Sequence, residues 1–357
     1  MGLDSDALIL TPCRESRIQA VNWSPWHHKL NRHLLNQSRL LPKGKSIVLA
    51  ISGGQDSMAL LGLLKDLATI HDWKISVWHG NHGWHEASQH CSDALETWCQ
   101  GQGLRFESHT ADPIKVQSEA AARSWRYTCL EQTAATLEAD IVTGHTATDR
   151  TETLLLQMAR GSDLKGLCSL RAQRPLKSED PQGIQLSRPM LIFQRHQTAQ
   201  ICQALQLPTW PDPTNESSFF ARNRVRHEVL PVLEELYPGC ERRISNLSER
   251  LSATQEIQQE LVDQCLKMSV RNKDFTRETI KNSSHQLRRI LINRWMHQRG
   301  APQLNAPQLD ELSHRLGPRQ PPGKAPLPKG WTFSWTGQTM QLDAPHPKQL
   351  DSIPEEK

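Results

Sequence analysis

The sequence predicts an α/β protein in which a doubly wound parallel sheet is followed by a second, helical domain. Between Ser46 and Asp149, short apolar runs rich in β-branched residues alternate with helical segments of ten or more residues, the pattern that parallel strands and their crossover helices produce. Polar stretches rich in Gly, Ser and His follow several of those runs, "SGGQDS", "WHGNHGWH" and "TGHTATD". They fall at the carboxyl ends of strands, where open α/β sheets bind ligands. After "WPDPTNESS" the composition changes to Arg, Glu and Leu, with no strand signal until about Leu316.

Taken in order, "SIVLAI" reads as the first strand and "SMALLGLLKDLATI" as the helix behind it. "KISVWHG" is the second strand, "SQHCSDALETWCQGQG" a helix stopped by Gly, and "LRFESHT" the third strand. "SEAAARSWRYTCLEQTAATLEA" is a long helix, "DIVTGH" the fourth strand and "DRTETLLLQMAR" the next helix. "RPLKSEDPQG" has the polar, proline-bearing character of a surface loop or hairpin tip, and "QLSRPMLIF" resumes the apolar pattern. Near the end, "GPRQPPGKAPLP" reads as a connector, and "GWTFSWTGQTMQL" alternates around Thr-Gly as a hairpin does. The expected division is an N-terminal extension (1–24), the sheet domain (25–218), the helical domain (219–316), a proline-rich connector with hairpin (317–345) and a disordered tail (346–357).

A chain of 357 residues with 37% hydrophobic and 22% charged residues can bury two cores. It contains no run of about 18 apolar residues that could span a membrane, and its start lacks the pattern of a secretory signal. The eight cysteines are scattered without a C-x-x-C pair, as expected of reduced packing thiols in the cytoplasm. The net charge of +4 is modest, but Leu266 to Gly300 holds nine Lys or Arg against Asp274 and Glu278. Such a segment, which includes Arg288 and Arg289, is either a polyanion-binding surface or a solvated helix face.

The joint between the first strand and its helix carries the chemistry. Gly53 and Gly54 permit close approach of a ligand to the backbone, and a helix start directs N–H groups and the positive end of the dipole at an anion. Ser52 and Ser57 add hydroxyls. Asp56 would repel a bare phosphate, so its presence suits a cation, either Mg²⁺ on phosphates or an amine. Two other phosphate motifs fail: "GKS" at Gly44 to Ser46 precedes the strand and has Arg39 where a Walker loop needs Gly, and G-x-G-x-x-G is absent from the joint. His79, His82 and His85 are evenly spaced, but the spacing fits neither a helical metal pair nor a zinc finger.

"SGGQDS" resembles the pyrophosphatase loop of the PP-loop ATP-pyrophosphatase superfamily, whose sheet is of the adenine-nucleotide α-hydrolase type and whose members split ATP into AMP and pyrophosphate. "NHGWHEAS" (81–88), "EAAARSWRY" (119–127), "GHTATDRTET" (144–153), "RGSDLKGL" (160–167), "SRPML" (187–191) and "DPTNESSFFARNRVRHEVLP" (212–231) follow the order and spacing of the tRNA(Ile)-lysidine synthetase family. "SSHQLRRILINRW" resembles that family's next helical region. The chain departs from the family's G-H-x-x-D-D-Q-x-E-T by having Thr148, Asp149 and Arg150, and it ends before the longest members do.

The resemblance implies an ATP- and Mg²⁺-dependent ligase that joins free L-lysine to carbon 2 of the wobble cytidine of an isoleucine tRNA with anticodon CAU. The reaction passes through an adenylated tRNA and changes codon reading from AUG to AUA. The expected ATP-binding residues are Ala50, Ser52, Gly53, Gly54, Gln55, Asp56, Ser57, Gly144 and His145, with Asp56 on Mg²⁺. Asp149 and Glu152, three apart on one helical face, would form the lysine site with Asp56. A lysine amine titrates near about 10.4, so a carboxylate that binds it must also help to remove its proton. An Asp at that position also serves simply as a helix cap. Arg123, Arg126, Arg222, Arg224, Arg226, Arg288 and Arg289 are the candidates for tRNA or phosphate contact. Arg222, Arg224 and Arg226 alternate, so they would converge only at an irregular helix start, and surface salt bridges are the competing explanation for them and for Arg123 and Arg126. The competing functions are a tRNA-thiolating enzyme of the same superfamily, against which the missing C-x-x-C pairs argue, and a non-catalytic tRNA-binding protein. The sequence leaves the oligomeric state open, a homodimer being one option.

Overall fold

The computed structural model describes residues 23–83, 86–112, 114, 116, 118–168, 170–177, 180–210, 221–271 and 274–345. The expected tail, nearly all of the N-terminal extension, His85 and the whole "DPTNESS" segment lie outside the described residues. The chain forms two compact units that divide between Glu249 and Arg250.

In the first unit, Ile47, Val48 and Leu49 make an unbroken apolar run in β1 (Ser46–Ala50), as a strand covered on both faces demands. β2 (Lys74–Asn81) pairs parallel to β1, and β3 (Arg105–Thr110) parallel to β2. β4 (Asp140–Thr143) pairs parallel to the other edge of β1. The expected hairpin at "RPLKSEDPQG" is present as β5 (Gln173–Pro175) and β6 (Gln185–Ser187), with β6 parallel to β4 and β5 antiparallel to β6. The order is therefore β3-β2-β1-β4-β6-β5. The chain winds outward from β1 to β3, then returns to the opposite side at β4. That reversal opens a crevice beyond the carboxyl ends of β1 and β4.

Seven helices accompany this sheet: α1 (Pro25–Asn36), α2 (Gln55–His71), α3 (Glu86–Gly101), α4 (Glu119–Thr136), α5 (Ala147–Ala159), the short α6 (Leu164–Leu167) and α7 (Arg195–Ala204). The alternation of strand side chains sorts them. Ile47, Leu49, Val77 and Val142 bury against Leu30 and Leu34 of α1, the leucines of α2, Leu95 of α3 and Ile201 of α7. Val48, Trp78, Ile141 and Leu186 bury against Leu130 and Ala134 of α4 on the opposite face. α2 buries Met58 to Leu64 without interruption, so it is a central helix rather than an amphipathic cover. α8 (Ala221–Arg224) runs directly into a π-helical turn at Val225–Val229, followed by α9 (Leu230–Leu236) and α10 (Cys240–Ser269), within which the division falls.

The second unit differs from the expected all-helical domain. β7 (Val270–Arg271) and β8 (Asp274–Thr276) precede α11 (Arg277–Lys281), α12 (His285–Gln298) and α13 (Ala306–Arg315). The proline-rich connector supplies β9 (Gly323–Pro326), and the expected hairpin is β10 (Thr332–Trp335) with β11 (Thr339–Asp343). All five strands form one sheet, in the order β7-β8-β11-β10-β9. The hairpin is thus an integral part of the unit that contains α12 and α13. Trp295, Phe275, Phe333 and Met340 share its core. The boundary expected at 218/219 also shifts, because residues 221–249 attach to α5 through ion pairs and hydrogen bonds described below. No helix among the described residues is long and apolar enough to cross a membrane.

Trp295 is 1% exposed and packs on Phe275 and Phe333 at centroid distances of 5.4 and 5.8 Å. We expect Trp295→Ala to cost the second unit about 3–5 kcal/mol while leaving the first unit's melting nearly unchanged. Calorimetry of the whole chain should show one transition moving to lower temperature; a common shift of all transitions would contradict the division into units.

Candidate active site

The crevice at the β1/β4 switch is lined by two strand-to-helix joints. In the first, Ala50 ends β1, half-buried and in register with Trp78 and Thr143. Gly53 has φ +86°, and a Cβ there would stand 2.8 Å from the Cys91 Sγ and 3.4 Å from the Trp210 ring. Only Gly meets both conditions. Gly54 is the N-cap of α2. A Cβ on it would find only the Ser52 Oγ, at 3.6 Å, so the space above Gly54 is open to a ligand. Buried Ser57 fixes the loop: its Oγ accepts from the Ser52 N–H at 3.2 Å and donates to the Gly54 carbonyl at 2.8 Å. First-turn N–H groups of a helix lack intrahelical acceptors, so the start of α2 offers donors where the loop leaves room.

The second joint is pressed against the first. A Cβ on Gly144 would lie 3.0 Å from the Asp56 carbonyl oxygen and 3.0 Å from the Ser57 Cα. Glycine is what lets β4's loop seat on the first turn of α2. His145 Nδ1 lies 2.8 Å from the Thr143 Oγ1, and burial pushes its imidazole far below the ordinary value, keeping it neutral. Thr146 caps α5 and is itself met by Asp149, whose Oδ2 accepts from the Thr146 N–H at 2.6 Å and from its hydroxyl at 2.9 Å. Asp149 therefore has the capping role that its position allowed, with its second oxygen turned to Arg222 at 2.7 Å. Burial alone would raise its pKa, but Arg222 and the Thr146 donors outweigh it and hold the carboxyl below its ordinary value.

Glu152 is fully buried, and both oxygens are occupied: Oε2 by the Arg222 Nε and Oε1 by the Arg226 Nε, each at 2.6 Å. Arg222 and Arg226 thus converge, but on carboxylates of α5. They stand four apart across the join of α8 and the π turn, a spacing that puts both on one helical face. Arg224 faces elsewhere and pairs with Glu228 at 2.8 Å. In this arrangement each Glu152 oxygen already has a guanidinium partner, as the Asp149 oxygens have theirs in Thr146 and Arg222.

Asp56 receives the Arg195 guanidinium at 2.5 Å and the Thr198 hydroxyl, both from α7. Burial raises its carboxyl above the ordinary value, and nearby Asp149 adds to this while Arg195 opposes it. Sequence reasoning missed Arg195 and Thr198, which sit in "FQRHQT" with no motif to mark them. Gln55 is also corrected in part. Its side chain donates to the Arg195 carbonyl at 2.8 Å and to the Thr198 Oγ1 at 3.1 Å, anchoring α7 rather than pointing at a nucleotide. The departures at 148 and 150 have local explanations. The Thr148 hydroxyl bridges the Arg195 N–H and the Glu241 carboxylate, and buried Arg150 turns to Glu249 at 3.5 Å. His79, with its Nδ1 2.8 Å from the Ile51 carbonyl, is a packing histidine, and no cluster of three metal-ligating side chains occurs among the described residues.

The remaining arginines divide between the two units. Arg123 lies over the Tyr127 ring at 5.2 Å, and Arg126 stands 3.3 Å from the His82 Nε2. In the second unit Arg288 is only 7% exposed, and its guanidinium donates to the carbonyls of Ser313, Lys281 and Ser283. It is a structural pin, which corrects its assignment to an outward tRNA contact. Arg289 is half-buried and pairs with Asp310 at 3.2 Å.

We expect Glu152→Gln to destabilise the first unit by about 3 kcal/mol, because it removes the shared counter-charge of two guanidinium groups. Asp149→Asn should cost less, since its neighbour on α5 still holds both arginines. Thermal melts of the two variants test this, and an equal shift would count against the central role given to Glu152.

A PP-loop domain model matches residues 26–233. The chain is 47% identical to the tRNA(Ile)-lysidine synthase of Parasynechococcus marenigrum (strain WH8102) over 93% of its own length and 98% of that protein's. It is 42% identical to an enzyme of the same name from Prochlorococcus marinus, over 90% and 96%. Among solved structures it is similar to the U34-tRNA thiolase NcsA from Methanococcus maripaludis, with a TM-score of 0.53 and 18% identity over 63% of this chain and 79% of that one, a likeness of fold. With the loop, the crevice and near full-length relatives in agreement, the chain belongs to the tRNA(Ile)-lysidine synthase family.

Proposed function

We propose that the protein is an ATP-dependent ligase that attaches free L-lysine to carbon 2 of the wobble cytidine in the CAU-anticodon isoleucine tRNA, by way of an adenylated tRNA and with release of AMP and pyrophosphate. The observation that carries this reading is the open space over Gly54 at the start of α2, walled by Ser52, Ser57 and the glycine-seated second joint. It is a cradle for a pyrophosphate group, built from backbone donors and hydroxyls. Membership of the family, rather than of the thiolases whose fold it shares, favours the lysine-adding reaction.

A pyrimidine carbonyl is a poor electrophile with a poor leaving group, and adenylating its oxygen repairs both faults. The cradle's part is to fix the phosphates so that the oxygen can attack in line. Asp56 is the side chain suited to Mg²⁺, which binds through one or two carboxylates together with phosphate oxygens; the ion would offset the charge that develops there. Lysine is a zwitterion, and the crevice offers it three carboxylates (Asp56, Asp149, Glu152) matched by three guanidinium groups (Arg195, Arg222, Arg226). We assign its ammonium to Asp149 and Glu152 on one face of α5, with Asp56 across the crevice left to Mg²⁺; Glu152 also anchors Arg222 and Arg226. Arg222, the more exposed of that pair, is the group that can exchange Asp149 for the incoming carboxylate. Neutral His145 stands beside this network as a hydrogen-bonding group rather than a charge.

The direct test incubates protein, ATP, Mg²⁺ and labelled lysine with total tRNA. Label is expected in a nucleoside of one isoleucine tRNA, and sulfur incorporation without lysine would reverse the assignment. Two variants separate the half-reactions. Gly54→Val should leave the melt little changed, because a Cβ there would meet only the Ser52 Oγ, at 3.6 Å, yet abolish AMP formation. Asp149→Asn should still form adenylated tRNA in a single turnover, while its lysine requirement rises about tenfold, equivalent to about 1.4 kcal/mol. Equal loss of both steps would move Asp149 from lysine to the nucleotide.

A further inference from the structure

A cleft of about 420 Å³ lies between α4 and the β5–β6 hairpin, lined by Arg123, Tyr127, Glu131, Arg174 and Lys177 among others. It is distinct from the loop over Gly54 and has no place in the reading above. Its charges are unbalanced. The guanidinium groups of Arg123 and Arg174 stand 5.2 and 5.8 Å from the centre of the Tyr127 ring. Behind them Arg188, at the end of β6, is 1% exposed. Its NH1 donates to the Arg171 carbonyl at 2.8 Å, while its Nε is buried without a partner. Among the described residues no carboxylate comes within ion-pair distance of Arg123, Arg174 or Arg188; Glu131 at the rim is engaged by Lys177.

A buried guanidinium without a counter-ion is costly, and Arg188 is one. Exposed Arg123 and half-buried Arg174, whose NH1 donates to the Pro175 and Leu176 carbonyls, add like charge around one hydroxyl. The Tyr127 hydroxyl registers this. Burial would raise its pKa, yet Arg123, Arg188, Arg174 and Arg126 together draw it below the ordinary value. The same cluster reaches the crevice, because Arg188 and Arg123 both help to keep His145 neutral. An anion in the cleft would relieve the repulsion. The Tyr127 ring is already engaged by two guanidinium groups, which leaves charge, rather than base stacking, as what the cleft offers. Guanidinium forks suit phosphate oxygens, and none of the cleft's lining residues belongs to the β1–α2 loop that would take the pyrophosphate.

We propose that this cleft binds a backbone phosphodiester of the RNA substrate and thereby sets the register of the strand whose target base enters the crevice. The proposal rests on the assignment of a tRNA substrate. Phosphate contacts position a nucleic acid without reading its sequence, so the site would hold any RNA strand that reaches it.

Arg174 is the residue to test, since it belongs to the cleft and not to the crevice. In Arg174→Ala, affinity for the isoleucine tRNA should fall about five- to tenfold, and the slope of log affinity against log salt should flatten by about 0.7 to 0.9, the value of one lost phosphate contact. ATP binding measured without tRNA should be unchanged, and Arg174→Lys should keep the slope. If Arg174→Ala fails to fold, Lys177→Ala makes the same measurement at the rim. An unchanged slope in a folded variant, with wild-type protein still adding lysine to tRNA, would overturn the phosphodiester site and leave the proposed function standing. Weakened ATP binding with an unchanged tRNA slope would overturn it too, giving the cleft to the nucleotide. Failure of the wild-type protein itself to bind or modify tRNA would instead defeat the functional reading on which the site depends.

Discussion

A carboxylate taken wholly out of water must be met by donors at both oxygens, and in this protein Glu152 sets that condition for everything around it. Arg222 and Arg226 satisfy it at 2.6 Å each, which draws residues 221–229 onto α5. Arg222 then has a donor left for Asp149, and Asp149 in turn closes the Thr146 cap that starts α5. One buried charge thus fixes a helix start and a helix-to-helix contact. Breaking such a pair costs more than making it contributes, so the arrangement is a specification of geometry more than a source of stability.

The π turn at Val225–Val229 belongs to the same constraint. A π turn interrupts the regular ladder and often marks a functional position. Here it follows immediately on α8, where both arginines must reach one carboxylate while Arg224 is left to Glu228. On the opposite side of the crevice a parallel arrangement holds: Asp56 is met by Arg195 and Thr198 of α7, and Gln55 ties the same helix down. Both joints of the switch point are therefore clamped by helices that come later in the chain.

What the sequence made legible, and what it hid, follows from the range of the interactions involved. The first sheet could be read because each strand and helix carries its own periodicity, and the glycine joint because Gly53 and Gly144 answer to local backbone and close-packing demands. β7 and β8 could not, since two or three residues are too short to show alternation and the pair joins the sheet only through β8's contact with distant β11. Arg195, Thr198 and Arg188 were equally hidden, being single polar residues whose meaning comes from tertiary neighbours. Arg288 shows the opposite error. A count of basic residues cannot tell an outward charge from one that pins three carbonyls, as Arg288 does. Reading Arg222, Arg224 and Arg226 as one alternating set concealed the pair, four apart, that actually meets.

The first unit thus treats charge in two ways. In the crevice, each carboxylate has a guanidinium beside it, an arrangement that the proposed zwitterionic ligand would enter by exchange of partners. At the Tyr127 cleft, guanidinium groups gather with no carboxylate at ion-pair distance among the described residues, and an added anion would offset their repulsion. The first arrangement suits a small ligand that must arrive, react and leave. The second suits a ligand held through a single fixed charge while chemistry proceeds nearby. Arg188 and Arg123 act on both, because their field also falls on His145. That field is secondary to burial in keeping the imidazole neutral, so an anion in the cleft would leave His145 a hydrogen-bonding group.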